Sequence, residues 1–481
     1  MPFLASAATT PWLGVGDAGL RDDVELLAAY GVIDGPTTMW PIPSRQILRG
    51  LANQKRLSAA PAAVQAAAQR VMAHLSHHAD DESSDLHPLA QLRTTNQTSV
   101  VRPFGARARD EADAQVGGDY DNDWFSARAL VGEQTHYNGT RQRFSPDGSY
   151  LGARVGNLQF YGGWLDQWYG PGQTTSLILS NNARPFPKIG VMRADTQPFQ
   201  TPLLSWLGPW QANVFLGLLD GSRIDHDTGF VSLRIDFEPL PGLQIGLTRE
   251  TEICGQHHPC GIREYFNFNN GPTDPNQVND EAGIDFKYTR RFGLYSVSPY
   301  VQFMNEDTGP FVHSATSYLA GTTVMVPFGP RGAYWSLTAE YADSVPTLNW
   351  FDFGKKAYGD AYNNSGYMDG FRYRGRTLGF SLDSDSRLFS LTWRLTDADN
   401  RRWHLTYYHA DIDIRDPKTP ETQSFVNVVS DAPVTTNMVE AGVDWPLGAF
   451  DVSAIVRGMD AVPVPTTAAH FAGELGIRYG F

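Results

Sequence analysis

The sequence lacks long hydrophobic runs. No stretch of 18 or more consecutive apolar residues occurs in its 481 residues, and a membrane-spanning helix needs a run of about that length. Lipid offers no hydrogen-bond partners to an open backbone, so the only other structure that spans a bilayer is a closed β-barrel. If this chain crosses a membrane, we expect it to do so with strands.

Basic residues are also scarce. The 38 Lys and Arg residues are outnumbered by 52 Asp and Glu residues, which gives a formal charge of −14. Binding to nucleic acid is not expected, because it depends on basic surface that neutralises phosphates. The chain has no P-loop, no repeated metal-binding motif and no G-x-S-x-G elbow. Its carboxylates show no recognisable catalytic pairing. We therefore expect neither an enzyme nor a bound cofactor.

Cysteine is limited to Cys254 and Cys260, which lie six residues apart in the segment ICGQHHPCG. Two thiols this close, flanked by Gly and Pro, predict a disulfide that closes a loop in an oxidising compartment. His257 and His258 lie between them and leave a Cys/His metal site as the alternative. No second ligand pair with zinc-like spacing occurs elsewhere in the chain.

Helical periodicity is confined to residues 16–78. A first helix is expected after Asp17, a suitable N-cap, and before Gly31, a suitable C-cap. A shorter helix is expected from Ser44, and a third from Pro61 to Leu75. Residues 76–98 are expected to form a polar linker. The domain boundary is therefore placed at residue 98, with a helical region at 1–98.

From about residue 100 the hydrophobic period changes from 3.6 to 2. Val231, Leu233 and Ile235 alternate with polar residues, and the same pattern returns at 389–395, 403–407 and 470–481. Each segment is close to the roughly ten residues of a tilted transmembrane strand. The aromatic content of 12%, with 46 Gly and 31 Pro, is typical of strands and turns. The predicted fold is an all-β barrel of about 16 to 18 antiparallel strands at 99–481.

The connections are of two sizes, as in outer-membrane barrels, where short turns lie at one rim and long loops at the other. This alternation fails between residues 343 and 434. Asp383 to Arg387 and Asp397 to Asn400 both have the composition of short turns and follow one another. A strand between 343 and 434 is therefore missing from the assignment, and Phe425 to Val429 is its best candidate.

The segment 164–193 does not have the pattern of a strand hairpin. Pro185 and Pro187 lack the donor that a regular central strand needs. Sugar sites use aromatic faces for stacking and amide or guanidinium groups for hydroxyls and carboxylates. The segment supplies both kinds of side chain and is predicted to bind carbohydrate through Trp164, Trp168, Tyr169, Asn181, Asn182, Arg184 and Arg193.

Two alternatives remain for that segment. Its residues could serve only to fasten it to the barrel wall. The loop at 343–370, which carries Trp350, Phe351, Tyr358 and Tyr362, is a competing location for the glycan.

Three motifs carry a resemblance to a known family. They are WYGPG followed by SLILSNNARPFPKIGVMR, then LGPWQANVFLG at 207–217, and GDAGLRDDVELLAAYGVIDGPTTMWPI near the amino terminus. Together they resemble the capsule assembly Wzi family of Gram-negative outer-membrane proteins, over nearly the whole chain. The resemblance implies an eighteen-stranded barrel with a periplasmic helical bundle. It also implies a lectin that holds capsular or related polysaccharide at the cell surface.

The expected partners are therefore polysaccharide and outer-membrane lipid, and we expect a monomer. A diffusion porin or polysaccharide export channel is the alternative function. The amino terminus is expected to retain the tail of a signal peptide, with Ala5, Ser6 and Ala7 resembling a cleavage site. Resemblance to outer-membrane proteins further implies that Phe481 is an aromatic end signal for membrane insertion.

Overall fold

The computed structural model describes residues 10–75, 86–134, 144–219, 223–256, 258–266, 278–306, 315–348, 354–416, 427–464 and 469–480. Its main feature is a closed barrel of eighteen antiparallel strands, which confirms the predicted fold class. The expectations for the signal-peptide tail, Trp350, Phe351, His257 and Phe481 lie outside the described residues.

The barrel strands are numbered in chain order, and two of them, β4 and β10, are interrupted. Their bounds are β1 Leu86–Thr95, β2 Ala112–Asp121, β3 Phe125–Gln134, β4 Phe144–Ser145 with Tyr150–Val155, β5 Leu158–Gly163, β6 Lys188–Arg193, β7 Trp210–Leu218, β8 Gly229–Leu240, β9 Leu243–Ile253, β10 Asn279–Tyr288 with Arg290–Phe292, β11 Tyr295–Glu306, β12 Thr316–Phe328, β13 Ala333–Thr347, β14 Arg387–Thr396, β15 Arg402–Ile412, β16 Val434–Leu447, β17 Phe450–Met459 and β18 Phe471–Tyr479.

The two faces of the wall have the polarity of a membrane barrel. On β8, Arg234 and Asp236 point into the lumen and are fully buried, while Ile235 between them is 36% exposed on the outside. Arg234 is paired there with Asp285 of β10 at 2.8 Å. In a water-soluble barrel the apolar side chains would fill the interior instead. Apolar groups outside and paired charges inside are the arrangement that lipid requires.

The two rims differ as predicted. Strands are joined by short turns at one rim, for example at residues 241–242, 329–332 and 448–449, and this rim is called the short-turn rim below. Long connections occupy the other rim, called the long-loop rim. One connection at the short-turn rim is longer than a turn, at residues 194–209, and it contains the 3-10 helix Ser205–Leu207.

The amino-terminal region forms four helices, one more than predicted. Their bounds are α1 Ala18–Ala29, α2 Ser44–Leu51, α3 Gln54–Ser58 and α4 Ala62–Leu75, and a further short helix, α5 Ile262–Tyr265, lies in a long connection. The Asp17 side chain accepts the Leu20 N–H at 2.8 Å, so the predicted N-cap is confirmed. Gly31 follows the end of α1 with a φ of 66°, a conformation that favours glycine.

These helices lie at the short-turn rim. The Tyr30 hydroxyl donates to the carbonyl of Leu294 at 3.1 Å, and Arg70 donates to Asn400 at 3.0 Å. Leu294 and Asn400 belong to the turns after β10 and β14. The helical region therefore lies across this mouth of the barrel. In the part of the chain that the structure describes, no helix is long and apolar enough to span a bilayer.

The boundary expected at residue 98 is too late. Residues 86–95, assigned to the linker, form strand β1, which pairs with both β2 and β18 and closes the barrel. The hydrophobic pattern does not predict this strand, because its outward residues include Pro88 and Ala90, which make a weak apolar face. Pro88 is tolerated because it lies near the start of the strand.

The expected extra strand between 343 and 434 was also wrong. β13 pairs directly with β14, so the described part of 348–386 adds no barrel strand. It contains a two-stranded hairpin, Arg372–Tyr373 with Arg376–Thr377, and the segment from Asp383 to Asp385 is its buried end. The Asp383 carboxylate accepts the Val428 N–H at 2.7 Å and binds Arg372 at 2.8 Å. The polar residues that suggested an exposed turn thus form buried hydrogen bonds. The described part of 425–429 has no strand.

Asp23 fastens the helical region to the wall. Its fully buried carboxylate binds Arg70 at 2.6 Å, Arg402 of β15 at 3.2 Å and the Tyr334 hydroxyl at 2.8 Å. Removing one partner of a buried ion pair leaves the other charge uncompensated, which costs about 3–5 kcal/mol. We predict that Asp23→Ala loosens the helical region and speeds its cleavage in limited proteolysis of the folded protein.

The matched control is Asp34→Ala. Asp34 pairs with Arg56, and both side chains are about half exposed, so its loss is expected to change stability by less than about 1 kcal/mol. Equal protease resistance of Asp23→Ala and the unmodified protein would contradict the assignment.

Candidate functional site

The connection between β5 and β6, residues 164–187, enters the barrel instead of projecting from it. Trp168 and Tyr169 are fully buried and pair as a short strand with Met39 and Trp40 of the amino-terminal region. This connection is called the inner segment below. It enters from the long-loop rim and meets the helical region inside, so the described residues fill the lumen from both ends.

The inner segment is fastened to the wall by Glu340 of β13. The Glu340 carboxylate accepts the N–H groups of Gln173 at 2.7 Å, Thr174 at 3.2 Å and Thr175 at 2.9 Å. It also accepts the hydroxyl of Tyr300 at 2.7 Å. Hydrogen bonds to a charged acceptor are stronger than neutral ones. One inward carboxylate therefore orders three successive peptide groups.

A second wall residue, Gln302 of β11, forms hydrogen bonds with the backbone on either side of residues 173–175. Its amide oxygen accepts the Leu177 N–H at 2.9 Å, and its amide nitrogen donates to the Tyr169 carbonyl at 3.0 Å. Gly170 has a φ of 118°, and a Cβ there would lie 2.4 Å from the Gln302 amide. The close approach requires glycine at this position.

The helical region holds the inner segment from the opposite side. Arg21 of α1 donates to the Pro171 carbonyl at 3.0 Å, and its guanidinium lies 4.5 Å from the centre of the Phe104 ring. Burial lowers the pKa of Arg21. The Phe104 ring packs edge-on against both Trp40 and Trp168. These rings join the amino-terminal region, the connection after β1 and the inner segment.

The connection between β13 and β14 also folds inward. The Tyr362 hydroxyl donates to the Leu177 carbonyl at 2.5 Å, and the Tyr362 N–H donates to Glu306 at 2.6 Å. Of the aromatic residues predicted for the competing glycan location at 343–370, the structure describes two: Tyr362 is fully buried and Tyr358 is partly buried.

The predicted disulfide between Cys254 and Cys260 is present. Its loop packs on the same inward connection, since the Tyr367 hydroxyl donates to the Cys254 carbonyl at 3.0 Å and His258 stacks on the Tyr367 ring. The two sulfurs bind each other, which leaves the metal alternative without its thiolates. Among the described residues, no group of three or more candidate metal ligands occurs.

The predicted carbohydrate residues differ in burial, and four of the seven are almost completely buried. Trp168, Tyr169 and Asn182 are fully buried, and Arg184 is 2% exposed and bound to Asp147 at 2.9 Å. Their rings and polar groups contact other parts of the protein, as expected if they fasten the segment to the barrel wall.

The remaining three predicted residues differ from these four in exposure or in position along the barrel. Trp164 stays partly exposed. Asn181 is 7% exposed and donates to the Phe104 carbonyl at 3.1 Å. Arg193 lies near the short-turn rim, far along the wall from the others, with its guanidinium 3.6 Å from the centre of the Trp210 ring. Carbohydrate binding by the inner segment remains a prediction, and Trp164 is the predicted residue of this segment that stays partly exposed.

The sequence did not single out Glu340 or Gln302. A polar residue at an inward strand position resembles any other lumen residue, so no local signal distinguishes one that binds a distant backbone.

Together these features define an outer-membrane barrel whose lumen is occupied by its own inner segment. A comparison with protein families matches residues 86–456 to the Capsule assembly protein Wzi family. The chain belongs to this family, as the sequence motifs predicted.

Two relatives extend this result. An uncharacterised 55.8 kDa protein of the cps region of Klebsiella pneumoniae is 26% identical over 426 residues, which cover 86% of this chain and 80% of the relative. The solved structure of Wzi from Escherichia coli is 21% identical, with a TM-score of 0.82 over 98% of this chain and 99% of that one. That protein is described as a carbohydrate-binding β-barrel of the outer membrane involved in group 1 capsule assembly.

We predict that Glu340→Ala loosens the inner segment. Three peptide N–H groups and the Tyr300 hydroxyl would lose their acceptor in a buried site, where each unsatisfied group costs about 1–3 kcal/mol. The expected result in planar bilayers is a sealed unmodified protein and transient ion-conducting openings in the variant. Glu111→Ala, at an exposed position just before β2, should remain sealed. Steady conductance of the unmodified protein would favour the porin alternative.

We predict that pH changes the stability of the inward connection between β13 and β14. The Asp385 carboxylate accepts the Gly359 N–H at 2.8 Å, and burial raises the pKa of Asp385 to about 7. The folded pKa lies above the unfolded value of about 3.9. The proton's stabilising contribution is therefore complete below pH 3.9 and is lost as pH rises through 7.

Hydrogen exchange near Gly359, corrected for the intrinsic pH dependence of exchange, should report weaker protection at pH 7.5 than at pH 5. Asp385→Asn keeps an acceptor but cannot ionise, so it should remove most of the difference. An unchanged pH dependence in this variant would disprove the role of Asp385.

Proposed function

We propose that this protein is a non-catalytic lectin of the outer membrane that binds capsular or extracellular polysaccharide and retains it at the cell surface during capsule assembly. The observation that carries the proposal is the lumen, which the inner segment and the helices occupy from both ends. A barrel filled in this way presents a fixed surface and is poorly suited to conduct solutes. Family membership and the carbohydrate binding described for the Escherichia coli protein support the same function.

The proposed orientation places the helical region in the periplasm. Short turns face the periplasm in outer-membrane barrels, and the helices contact the turns after β10 and β14. The long-loop rim then faces the polysaccharide. Lipid is the second partner, since exposed apolar residues such as Leu247 and Leu391 cover the outer face. The proposed form is a monomer, because the wall closes on itself and leaves no unpaired strand edge.

The proposal is tested by deleting the gene in an encapsulated source strain and measuring cell-bound and released polysaccharide. We expect the released fraction to rise while total synthesis is unchanged, and the full-length gene to restore retention. An unchanged cell-bound fraction would contradict the function.

The contribution of the inner segment is tested by Trp164→Ala in the same strain. The stacking of a sugar on an exposed indole is worth on the order of 1 kcal/mol, so a severalfold loss of retention is expected. The control is Trp206→Ala, which removes an exposed ring at the short-turn rim and should retain polysaccharide normally. If both variants retain it normally while the deletion does not, the glycan site lies elsewhere on the long-loop rim.

A further inference from the structure

A chamber lies beside the inner segment, between the helical region, the connection after β1 and the wall. It consists of two adjoining cavities of about 220 Å³ and about 260 Å³. Each has a size near the lower end of ligand pockets, and together they fall within the range of roughly 300–1,000 Å³. Both cavities are lined by Gly16, Asp17, His74, Arg93, Arg107 and Arg478.

The lining has an excess of positive charge in a protein whose formal charge is −14. It contains more arginines than acidic residues. Several of these arginines are neutralised in place. Arg402 binds Asp17 at 2.7 Å, and Arg107 binds Glu440 at 2.7 Å.

Arg93 and Arg478 lack so close an acidic partner. Among the described residues, the Arg93 guanidinium has no hydrogen bond and no ion pair. Arg478 reaches Asp451 only at 3.6 Å and Asp17 only at 3.9 Å.

Arg93 and Arg478 are neighbours on adjacent strands. In the pairing of β1 with β18, Arg93 lies opposite Gly476 and Arg478 lies opposite Gln91, and both side chains line the chamber. Like charges on neighbouring strands repel each other. A guanidinium withdrawn from bulk water without a direct ion pair, as at Arg93, is also unfavourable, although the carboxylates of Glu474, Asp113 and Asp444 attract it at longer range. An anion bound between the two side chains relieves both effects.

The surroundings favour an anion that carries hydroxyl groups. The amides of Gln91, Gln115 and Asn181 line the same cavity, and the Asn181 Oδ1 has no hydrogen-bond partner among the described residues. The rings of Trp12 and Tyr150, whose centres are 4.8 Å apart, supply an aromatic wall. Amides for hydroxyls, an aromatic face and guanidinium groups together suit an acidic saccharide.

The chamber extends to the short-turn rim. Its lining includes Asn400, Pro446 and Gly480, which lie in or beside the turns and the end of β18. Asp451 is 43% exposed and Arg478 is 23% exposed in their side chains. A small ligand therefore has access from the side that carries the helices.

We propose that Arg93 and Arg478 form an anion site inside the barrel, which binds the carboxylate or phosphate of a small saccharide that enters from the short-turn rim. The site is distinct from the retention surface at the long-loop rim. It does not depend on the proposed function, because the ligand approaches from the opposite side of the membrane.

The test is calorimetric titration of the purified full chain in detergent at low ionic strength, with glucuronate, glucose 1-phosphate, inorganic phosphate and glucose as separate probes. At least one anionic probe should bind 10-fold or more tightly than glucose, since a hydrogen bond to a charged group is worth about 1.5–3 kcal/mol. Preference for glucuronate identifies a sugar carboxylate, and preference for either phosphate probe identifies a phosphate. Failure of all three anions to bind more tightly than glucose overturns the site.

Variants locate the binding. Arg93→Gln and Arg478→Gln should each weaken the anion by about 10-fold or more, while Arg93→Lys should retain part of the affinity. Arg331→Gln changes an exposed arginine in a turn of the same rim and should bind normally. Circular dichroism and heat-modifiable gel migration confirm that each variant is folded. Equal anion affinity of Arg93→Gln, Arg478→Gln and Arg331→Gln would overturn the proposal. The proposed retention of polysaccharide would still stand, because it is tested separately on cells.

Discussion

The structure depends on the pairing of charges inside the barrel. Lipid does not solvate a charged side chain, so the wall turns its charges inward. A water-poor lumen then makes an unpaired charge costly. Arg457 and Glu474 meet across adjacent strands at 3.0 Å, and Arg234 meets Asp285 at 2.8 Å. The inner segment and the helices complete this arrangement by supplying further donors and acceptors to wall residues.

Helix α1 illustrates how far this constraint extends. Its apolar residues Leu20, Val24 and Leu27 form a buried stripe at helical spacing. Sequence periodicity assigns the opposite face to solvent, yet Asp22 and Asp23 are buried as well. Both carboxylates face arginines of the wall. Local pattern predicted the helix but could not predict a partner contributed by residues more than three hundred positions later.

The same limit explains the outcome for the inner segment. Its aromatic, amide and guanidinium side chains have the chemistry of a sugar site, and the sequence correctly distinguished this stretch from an ordinary hairpin. Whether Trp168 faces a glycan or Trp40 depends on where the connection runs, which is decided by Glu340 and Gln302 on distant strands. The period-2 strands, by contrast, were predictable because lipid on one side and polar lumen on the other act at every residue. The linker assignment of 86–95 failed where that pattern is weak.

The burial of carboxylates in the lumen changes what an acidic polymer would encounter at the cell surface. Glu250, Glu252, Glu281, Glu340 and Asp383 all contribute to the formal charge of −14, and all are nearly or fully buried. Protonation or pairing inside the barrel removes much of their long-range field, and salt screens exposed charges within about 8 Å. The electrostatic potential outside the membrane is therefore governed by the residues of the long loops, and the total charge of the chain is a poor measure of its repulsion toward an anionic glycan.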